Sequence, residues 1–486
     1  MSIGDRNEKE LFYFWIYHLS IFYFIFKLIQ MNVLPYIYIG AFIGLFIVFL
    51  FLIYFIYKKK HTFICMILCI MISIVSLLGG FYIHRTIQTL SKISDSNTKK
   101  KKVLSIYSLK NSKIQKEEDL KNCTIGILAI NEEKSKDCLD SLNCDTQYVV
   151  YSSSENMIND FKEGLLDCIC IDSMYLEIVE ENSEMENFEK EIQEVYRYTY
   201  YVQQSNTVSS VDVIKEPFTV LISGIDTRTG TFEDSDSRSD VNLVVCVNPG
   251  THQIFLLSIP RDYYVKTVCD ASDGCANGEM DKLTHTGWHG ISTTEKTIEN
   301  LLGIEINYNV TVNFQTIVTL VDLLDGVDVY SPYNVELSGS FHSCSVVEGK
   351  NHLNGECALA YARERYAYVD GDRQRGKNQM ELVKGIIEKC LSTDLLNHFT
   401  DILNIMEDLF QTNMETSQIL SFVKEQINHP SNWSIDTYSL NGTGTTGYAY
   451  ELGDYAYVMI PDESTIQNAK EDIEAIYKGE DIPYVN

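Results

Sequence analysis

Positive charge is scarce along most of this chain. Residues 103–486 hold 27 Lys and Arg against 63 Asp and Glu, a balance of −36. A body of that sign repels nucleic acid at long range, so DNA and RNA are not expected as partners. Several chemistries are missing as well. There is no Gly-x-Ser-x-Gly elbow, no Walker loop and no His-Glu-x-x-His. No Cys-x-x-Cys pair is present, and His285 and His289, four apart beside Trp288, have no third ligand nearby in sequence. Zinc is therefore not expected. A cleavable signal peptide would show one short apolar run and a small-residue cleavage site; this chain starts with three apolar runs.

Those runs form a basic, apolar first part. Residues 1–102 carry 12 Lys and Arg against 4 Asp and Glu. The spans predicted are 11–29, 33–57 and 62–83, within an anchor covering 1–84; each is long enough to cross a hydrocarbon core of about 30 Å. The first is interrupted by His18 and Lys27, and a two-span anchor is the alternative. Lys58-Lys59-Lys60-His61 joins the last two spans and belongs in the cytoplasm by the positive-inside rule. Everything after about residue 85 is then extracytoplasmic, and Lys99–Lys102 is expected against lipid headgroups on the outer face. Eleven of the 13 cysteines follow the spans. Cys269 with Cys275 and Cys138 with Cys144 are candidate disulfides, with the connectivity left open.

Beyond the anchor, polar residues 85–121 read as a stalk, and strand–helix–strand alternation over 122–205 predicts a small α/β accessory domain. Glu180–Glu194 reads as a solvated acidic helix. A larger domain is predicted over 217–460. Its strands start at Phe218, Val241, Gln253 and Val327, and helical patterns cover 294–302, 314–324 and 378–391. Glycines 442, 444 and 447 mark a late loop before a strand at 457–460, with 461–486 as a tail. The fold class is α/β, a central mixed β-sheet flanked by helices.

Polar residues gather at the strand ends of this domain. Asp226 and Arg228 follow the first strand, Arg238 and Asp240 precede the second, and Arg261 and Asp262 follow the third. Strand ends are where α/β sheets bind ligands. A fourth group runs through Arg363, Arg365, Asp372, Arg373, Arg375 and Gln379. Between 363 and 377 five basic residues face three acidic ones inside an acidic domain. Arginine presents a planar fork that matches phosphate oxygens, and paired carboxylates suit a divalent ion. Singly, each piece reads as a helix cap or a solvent-facing ion pair; together they point to a phosphate site.

Seven segments in this order resemble the LytR–CpsA–Psr family: Ser223-Gly-Ile-Asp226-Thr-Arg228, Ser237-Arg238-Ser-Asp240, Leu257-Ser-Ile-Pro-Arg261-Asp262, Asp281-Lys282-Leu, Leu323-Leu-Asp-Gly-Val-Asp328-Val, Leu353 to Arg365, and Asp372-Arg-Gln-Arg375-Gly-Lys-Asn-Gln379. They span about 217–392. The spans and the 122–205 unit look like the anchor and accessory domain of capsule-type members. The resemblance implies a membrane-bound phosphotransferase. It would move a phosphorylated glycan, a capsule or teichoic-acid-like polymer, from a polyprenyl-pyrophosphate carrier to a sugar hydroxyl of peptidoglycan, with the lipid tail between sheet and helices.

By the same resemblance, Asp226 and Asp240 match carboxylates that hold magnesium (or manganese). Arg238, Arg261, Arg363, Arg365 and Arg375 match arginines around the phosphates, and Asp372 and Gln379 the polar pair of the head-group site. Lys282 matches a pocket-edge residue, and Arg228 and Arg373 are expected to help bind substrate. Asp262 and Asp372 are both candidates for the base. Where many members carry Gly-Gly, this chain has Asp325-Gly326. Two other functions fit the same residues: a pyrophosphatase-like hydrolase of the lipid, and a non-enzymatic membrane sensor of envelope polymer synthesis.

Overall fold

A computed structural model describes residues 3–31, 36–94, 99–142, 144–172, 175–176, 188–203, 211–225, 237–270, 275–337, 344–368, 371–391 and 410–484. It starts with helices α1 (Ile3–Met31), α2 (Tyr36–Lys58) and α3 (Thr62–Ser94). Among the described residues, three stretches are long and apolar enough to cross a membrane: Tyr13–Met31, Tyr36–Lys58 and Thr62–Gln88. Large apolar side chains such as Phe22, Phe51, Phe63 and Val75 point outward from them, an arrangement suited to lipid rather than water.

The accessory domain is larger than its sequence signal. It comprises β1 (Lys99–Leu109), β2 (Thr124–Leu128), α4 (Glu132–Asp140), β3 (Gln147–Tyr151), α5 (Ser154–Lys162), β4 (Cys168–Ile171) and β5 (Ile192–Gln203). The sheet order is β3-β2-β4-β1-β5. Residues 99–109, expected within a stalk, therefore form an inner strand, paired along their whole length with β5. The apolar alternation after the lysine run explains it: Leu104 and Ile106 are fully buried. Lys102 is buried too, its Nζ donating to the Trp288 carbonyl at 3.4 Å rather than meeting headgroups. The acidic helix expected over Glu180–Glu194 is replaced at its end by β5; residues 177–187 lie outside the described ones.

The larger domain is built on β6 (Phe218–Ile225), β7 (Ser239–Asn248), β8 (Gln253–Ser258), β9 (Tyr264–Lys266), β10 (Met280–Lys282), α6 (Ile291–Leu302), β11 (Tyr308–Asn313), α7 (Phe314–Leu323), β12 (Val327–Ser331), β13 (Val335–Leu337), β14 (Cys344–Val346), β15 (Gly349–Leu353), α8 (Gly355–Arg363), α9 (Asp372–Leu391), β16 (Phe410–Thr412), α10 (Thr416–Asn428), β17 (Ser434–Ser439), β18 (Gly442–Ala449), β19 (Asp454–Pro461) and α11 (Glu463–Lys478). Six strands form a mixed sheet in the order β16-β11-β6-β7-β8-β17, with β11/β6 and β8/β17 parallel and the rest antiparallel. The central strands are apolar at consecutive positions because both faces are covered. Val244, Cys246, Phe255 and Leu257 pack with α6 and α11 on one side. Leu243, Val245, Ile254 and Leu256 pack with Met380, Val383 and Ile387 of α9 and Phe422 of α10 on the other.

Three boundaries differ from the sequence reading. Residues 461–486 are not a tail: α11 buries Ile466, Ala469, Ile473 and Ile476 in the main core. Their helical spacing gives one apolar stripe, Asp462 caps its start by accepting from the Ser464 amide, and Gly479 ends it in the left-handed conformation. Glycines 442, 444 and 447 lie in a strand, β18, paired with β19 over eight positions. Helix α9 starts at Asp372, six residues before the apolar pattern that announced it, which places Arg373, Arg375 and Gln379 on its first turns. At the Asp325-Gly326 turn both residues have positive φ, 55° and 84°, a conformation Asp tolerates better than most side chains. Cys269–Cys275 is disulfide-bonded; Cys138 and Cys144 are free, and a pairing missed from sequence, Cys344–Cys357, ties β14 to α8.

Candidate functional site

Antiparallel pairing of β7 and β8 brings the residues before one strand beside those after the other. The amide of Ile259 donates to Asn242 O at 3.0 Å, so Arg261 leaves β8 next to Asp240 at the start of β7. Arg261 Nη1 donates to Asp240 Oδ1 at 2.9 Å, and both side chains are about four-fifths buried. Thr284 Oγ1 donates to the same oxygen at 3.1 Å. Thr284 is held in place by its own amide, which donates to Arg261 O at 2.8 Å. The 3₁₀ turn Leu283–His289 presses on the backbone of Arg238: a Cβ at Gly287 would sit 2.5 Å from the Ser239 nitrogen and 2.6 Å from Ser237 O. Only glycine allows that approach.

Behind Arg261, Asp262 lies between two cations. Its Oδ2 is 3.7 Å from Arg261 Nε and its Oδ1 is 4.0 Å from Lys282 Nζ. Burial pushes the pKa of Lys282 below its ordinary value; Asp262 counters this and Arg261 adds to it.

Helix α9 closes the other wall. It runs so close over the end of β8 that a Cβ at Gly376 would lie 2.9 Å from Ser258 Oγ. Asn378 Nδ2 donates to Tyr361 O at 3.0 Å and Gln379 Nε2 to Ala362 O at 3.2 Å, which pins α9 to the end of α8. Between these elements is a cleft of about 150 Å³. Asp240, Arg261, Arg373, Arg375, Lys377 and Gln379 line it, with Ser258, Pro260, Asn441 and Met459 among the rest. Arg373 Nη1 donates to Asn441 Oδ1 at 3.4 Å. The first turns of a long helix thus face a cleft already rich in cations, a setting that favours an anion.

The sequence-selected residues fall into groups. Asp240, Arg261, Arg373, Arg375 and Gln379 line the cleft. Arg238, Asp262 and Lys282 group near Arg261: Asp262 is within 4.0 Å of both Arg261 and Lys282, and Arg238 acts electrostatically on Lys282. Arg363 and Arg365 are not in the cleft lining. They leave the C-terminal end of α8, not a strand, and flank α9; Arg363 stacks on Phe314 at 4.7 Å and Arg365 on Tyr366 at 4.6 Å. Asp226 and Arg228 lie outside the described residues, as does the side chain of Asp372, the first residue of α9. Among the described residues no group of three or more His, Cys, Asp and Glu is placed to hold a metal. Asp240 offers an oxygen donor of the type magnesium takes, its Oδ1 accepting from Arg261 and Thr284.

Thr284 and Asn441 were missed from sequence. Thr284 follows two residues after the Asp281-Lys282 motif and was within reach of it; Asn441 carried no local signal, being brought in by β17.

The two histidines are structural. His285 Nδ1 is 2.5 Å from Asp281 Oδ1 and stacks on Trp288 at 4.3 Å, and His289 Nε2 is 2.9 Å from Glu451 Oε1. Trp288 itself belongs to the accessory domain's core, packed with Phe161, Tyr175 and Phe188. The turn that supplies Thr284 is therefore anchored in the neighbouring domain four residues later.

Comparison with known proteins gives the chain a family. A model of the LytR_cpsA_psr family matches residues 175–474. The polyisoprenyl-teichoic acid–peptidoglycan teichoic acid transferase TagU of Bacillus subtilis (strain 168) is 34% identical over 235 residues, covering 48% of this chain and 70% of that protein. Biofilm regulatory protein A of Streptococcus mutans is 32% identical over 259 residues, 51% of this chain and 63% of that one. The crystal structure of B. subtilis TagU aligns with a TM-score of 0.41 at 29% identity, over 56% of this chain and 100% of that chain.

Proposed function

Since this chain belongs to the LytR_cpsA_psr family, we propose that it is a membrane-anchored transferase acting on a cell-wall glycopolymer. The reaction in this reading moves a phosphorylated glycan from a polyprenyl-pyrophosphate carrier to a hydroxyl of peptidoglycan. The observation that carries it is the cleft in which Arg261, Arg373, Arg375 and Lys377 converge around Asp240 in a domain that is otherwise acidic. Phosphoryl transfer asks mainly for positioning and charge stabilisation, and these side chains supply both.

In this proposal the guanidinium forks hold the pyrophosphate oxygens and stabilise the departing lipid phosphate. In the same proposal Arg363, the last residue of α8, and Arg365 just beyond it add positive charge for the phosphates. Asp240, with Asp226, would hold magnesium (or manganese), which when bound offsets charge on the pyrophosphate. Asp262 lies between Arg261 Nε at 3.7 Å and Lys282 Nζ at 4.0 Å. Asp262 or Asp372 takes the acceptor proton.

The three apolar helices are consistent with an anchor in the membrane that carries the lipid substrate. Two disulfides in the large domain favour an extracytoplasmic location, since thiols stay reduced in most cytosols. The test uses the full chain in nanodiscs with a polyprenyl-pyrophosphate glycan, magnesium and peptidoglycan oligomers. Formation of the conjugate supports the proposal; release of free phosphoglycan alone makes the protein a hydrolase. Absence of turnover, with the envelope phenotype kept in an Arg363→Ala, Arg365→Ala strain, makes it a sensor.

A further inference from the structure

A row of exposed tyrosines climbs away from the cleft along the β18–β19 hairpin. The two-residue period of a strand puts Tyr455, Tyr457 and Met459 on one face of β19. Met459 is buried in the cleft wall, whereas Tyr457 and Tyr455 are 55% and 69% exposed. Tyr448 is directly opposite Tyr455, their ring centroids 5.6 Å apart and edge-on. A Cβ at Gly444 would lie 2.6 Å from the Tyr457 hydroxyl and 2.8 Å from a ring carbon, so the ring lies over the strand where only glycine leaves room. From Met459 to Tyr455 the row covers roughly 13 Å at strand rise.

Part of this is folding. A cross-strand aromatic pair stabilises a two-stranded ribbon, and Tyr457 covers the glycine beneath it. Folding does not account for three adjacent rings half-exposed beside a cleft; contiguous exposed apolar surface of that kind marks a binding surface. The hairpin's charge says what it binds. Residues 442–461 contain no Lys and no Arg, and of their two acids Glu451 is buried against His289. A phosphate-bearing chain finds no basic side chain on the hairpin itself, in contrast to the arginine-lined cleft next to it. An uncharged pyranose chain does fit. Its C–H faces pack on tyrosine rings, while its hydroxyls meet the phenol oxygens and Thr446, which faces Tyr457 across the ribbon.

We propose that Tyr448, Tyr455 and Tyr457 form a docking platform for the sugar rings of the acceptor glycan strand, leading it to the cleft at Met459. The word acceptor rests on the transferase reading above; the binding of uncharged sugar does not.

The test titrates the full chain in nanodiscs with a phosphate-free oligomer of β-linked N-acetylglucosamine, and separately measures transfer kinetics. Tyr455→Ala is expected to weaken oligomer binding roughly five- to tenfold. It is also expected to raise KM for the glycan acceptor with kcat and donor KM unchanged, while Tyr455→Phe, which keeps the stacking ring and loses one hydroxyl contact, should lose less than the alanine variant. Tyr455 touches solvent and Tyr448 rather than the core, so Tyr455→Phe should melt like the wild type and Tyr455→Ala lower only by what the exposed ring pair contributes. Unchanged oligomer binding in the Tyr448→Ala, Tyr455→Ala double variant overturns the platform, as does a loss confined to the donor. Oligomer binding that depends on Tyr455 in a protein that transfers nothing upholds the platform and removes the transferase.

Discussion

Arg261 and Asp240 join the end of β8 to the start of β7 through one hydrogen bond of 2.9 Å between Nη1 and Oδ1. The pair fixes the guanidinium at the cleft wall. Arg261→Lys keeps the charge but loses the fork. Its transfer rate with lipid-linked substrate is expected to fall about 10²–10³-fold, the scale seen when a positioned donor to a reacting oxyanion is removed. A lysine variant with wild-type kcat would show that the fork contributes nothing.

Trp288 is a graft of one domain in the other's core. It is 1% exposed and sits among Phe161, Tyr175 and Phe188. Trp288→Ala should cost about 3–5 kcal/mol, read as a lower unfolding midpoint of the full chain. Because Thr284 lies on the same turn and bonds Asp240, residual folded protein should also transfer more slowly. A variant that melts early yet keeps its specific activity would separate the domain contact from the site.

Glu295, on α6, links burial to pH. Burial is the main cause raising its carboxyl to about 7, while Asn309 Nδ2, donating at 2.7 Å, works in the opposite direction. A folded pKa above the unfolded one means the folded state holds its proton more tightly. That contribution is fully present below pH about 4.5 and is lost as pH rises through 7. Glu295→Gln should remove the loss, leaving the variant more stable than wild type above pH 7 by up to about 3 kcal/mol. Denaturant melts at pH 5 and pH 8 check this; parallel pH profiles for the two proteins would count against it.

Cys344 and Cys357 close a loop with a sequence separation of 13. Loop-closure entropy gives such a bridge about 3 kcal/mol. Dithiothreitol, or the Cys344→Ala, Cys357→Ala pair, should lower the melting temperature accordingly. The Cys138→Ala variant, whose thiol is buried and free, should be insensitive to reductant beyond the wild-type response. Mass spectrometry finding Cys344 alkylated under non-reducing conditions would refute the bridge.

Sequence alone determined what depends on local pattern. Apolar runs of some twenty residues announce the three long helices, and consecutive apolar residues announce the central strands, because neighbours along the chain share one environment there. Motif order also singled out the arginines and Asp240, since forked cations in an acidic body have few structural uses. Tertiary structure decided the rest. Lys99–Leu109 looked like a polar stalk until β5 paired with it from about ninety residues away. The terminal residues looked like a tail until α11 found the sheet's open face. Which arginines share the cleft, which flank it on α8, and that Thr284 and Asn441 complete the wall follow from strand pairing and helix packing between distant segments. Those contacts leave no mark on local composition, because register and packing are settled only when the partner segment arrives.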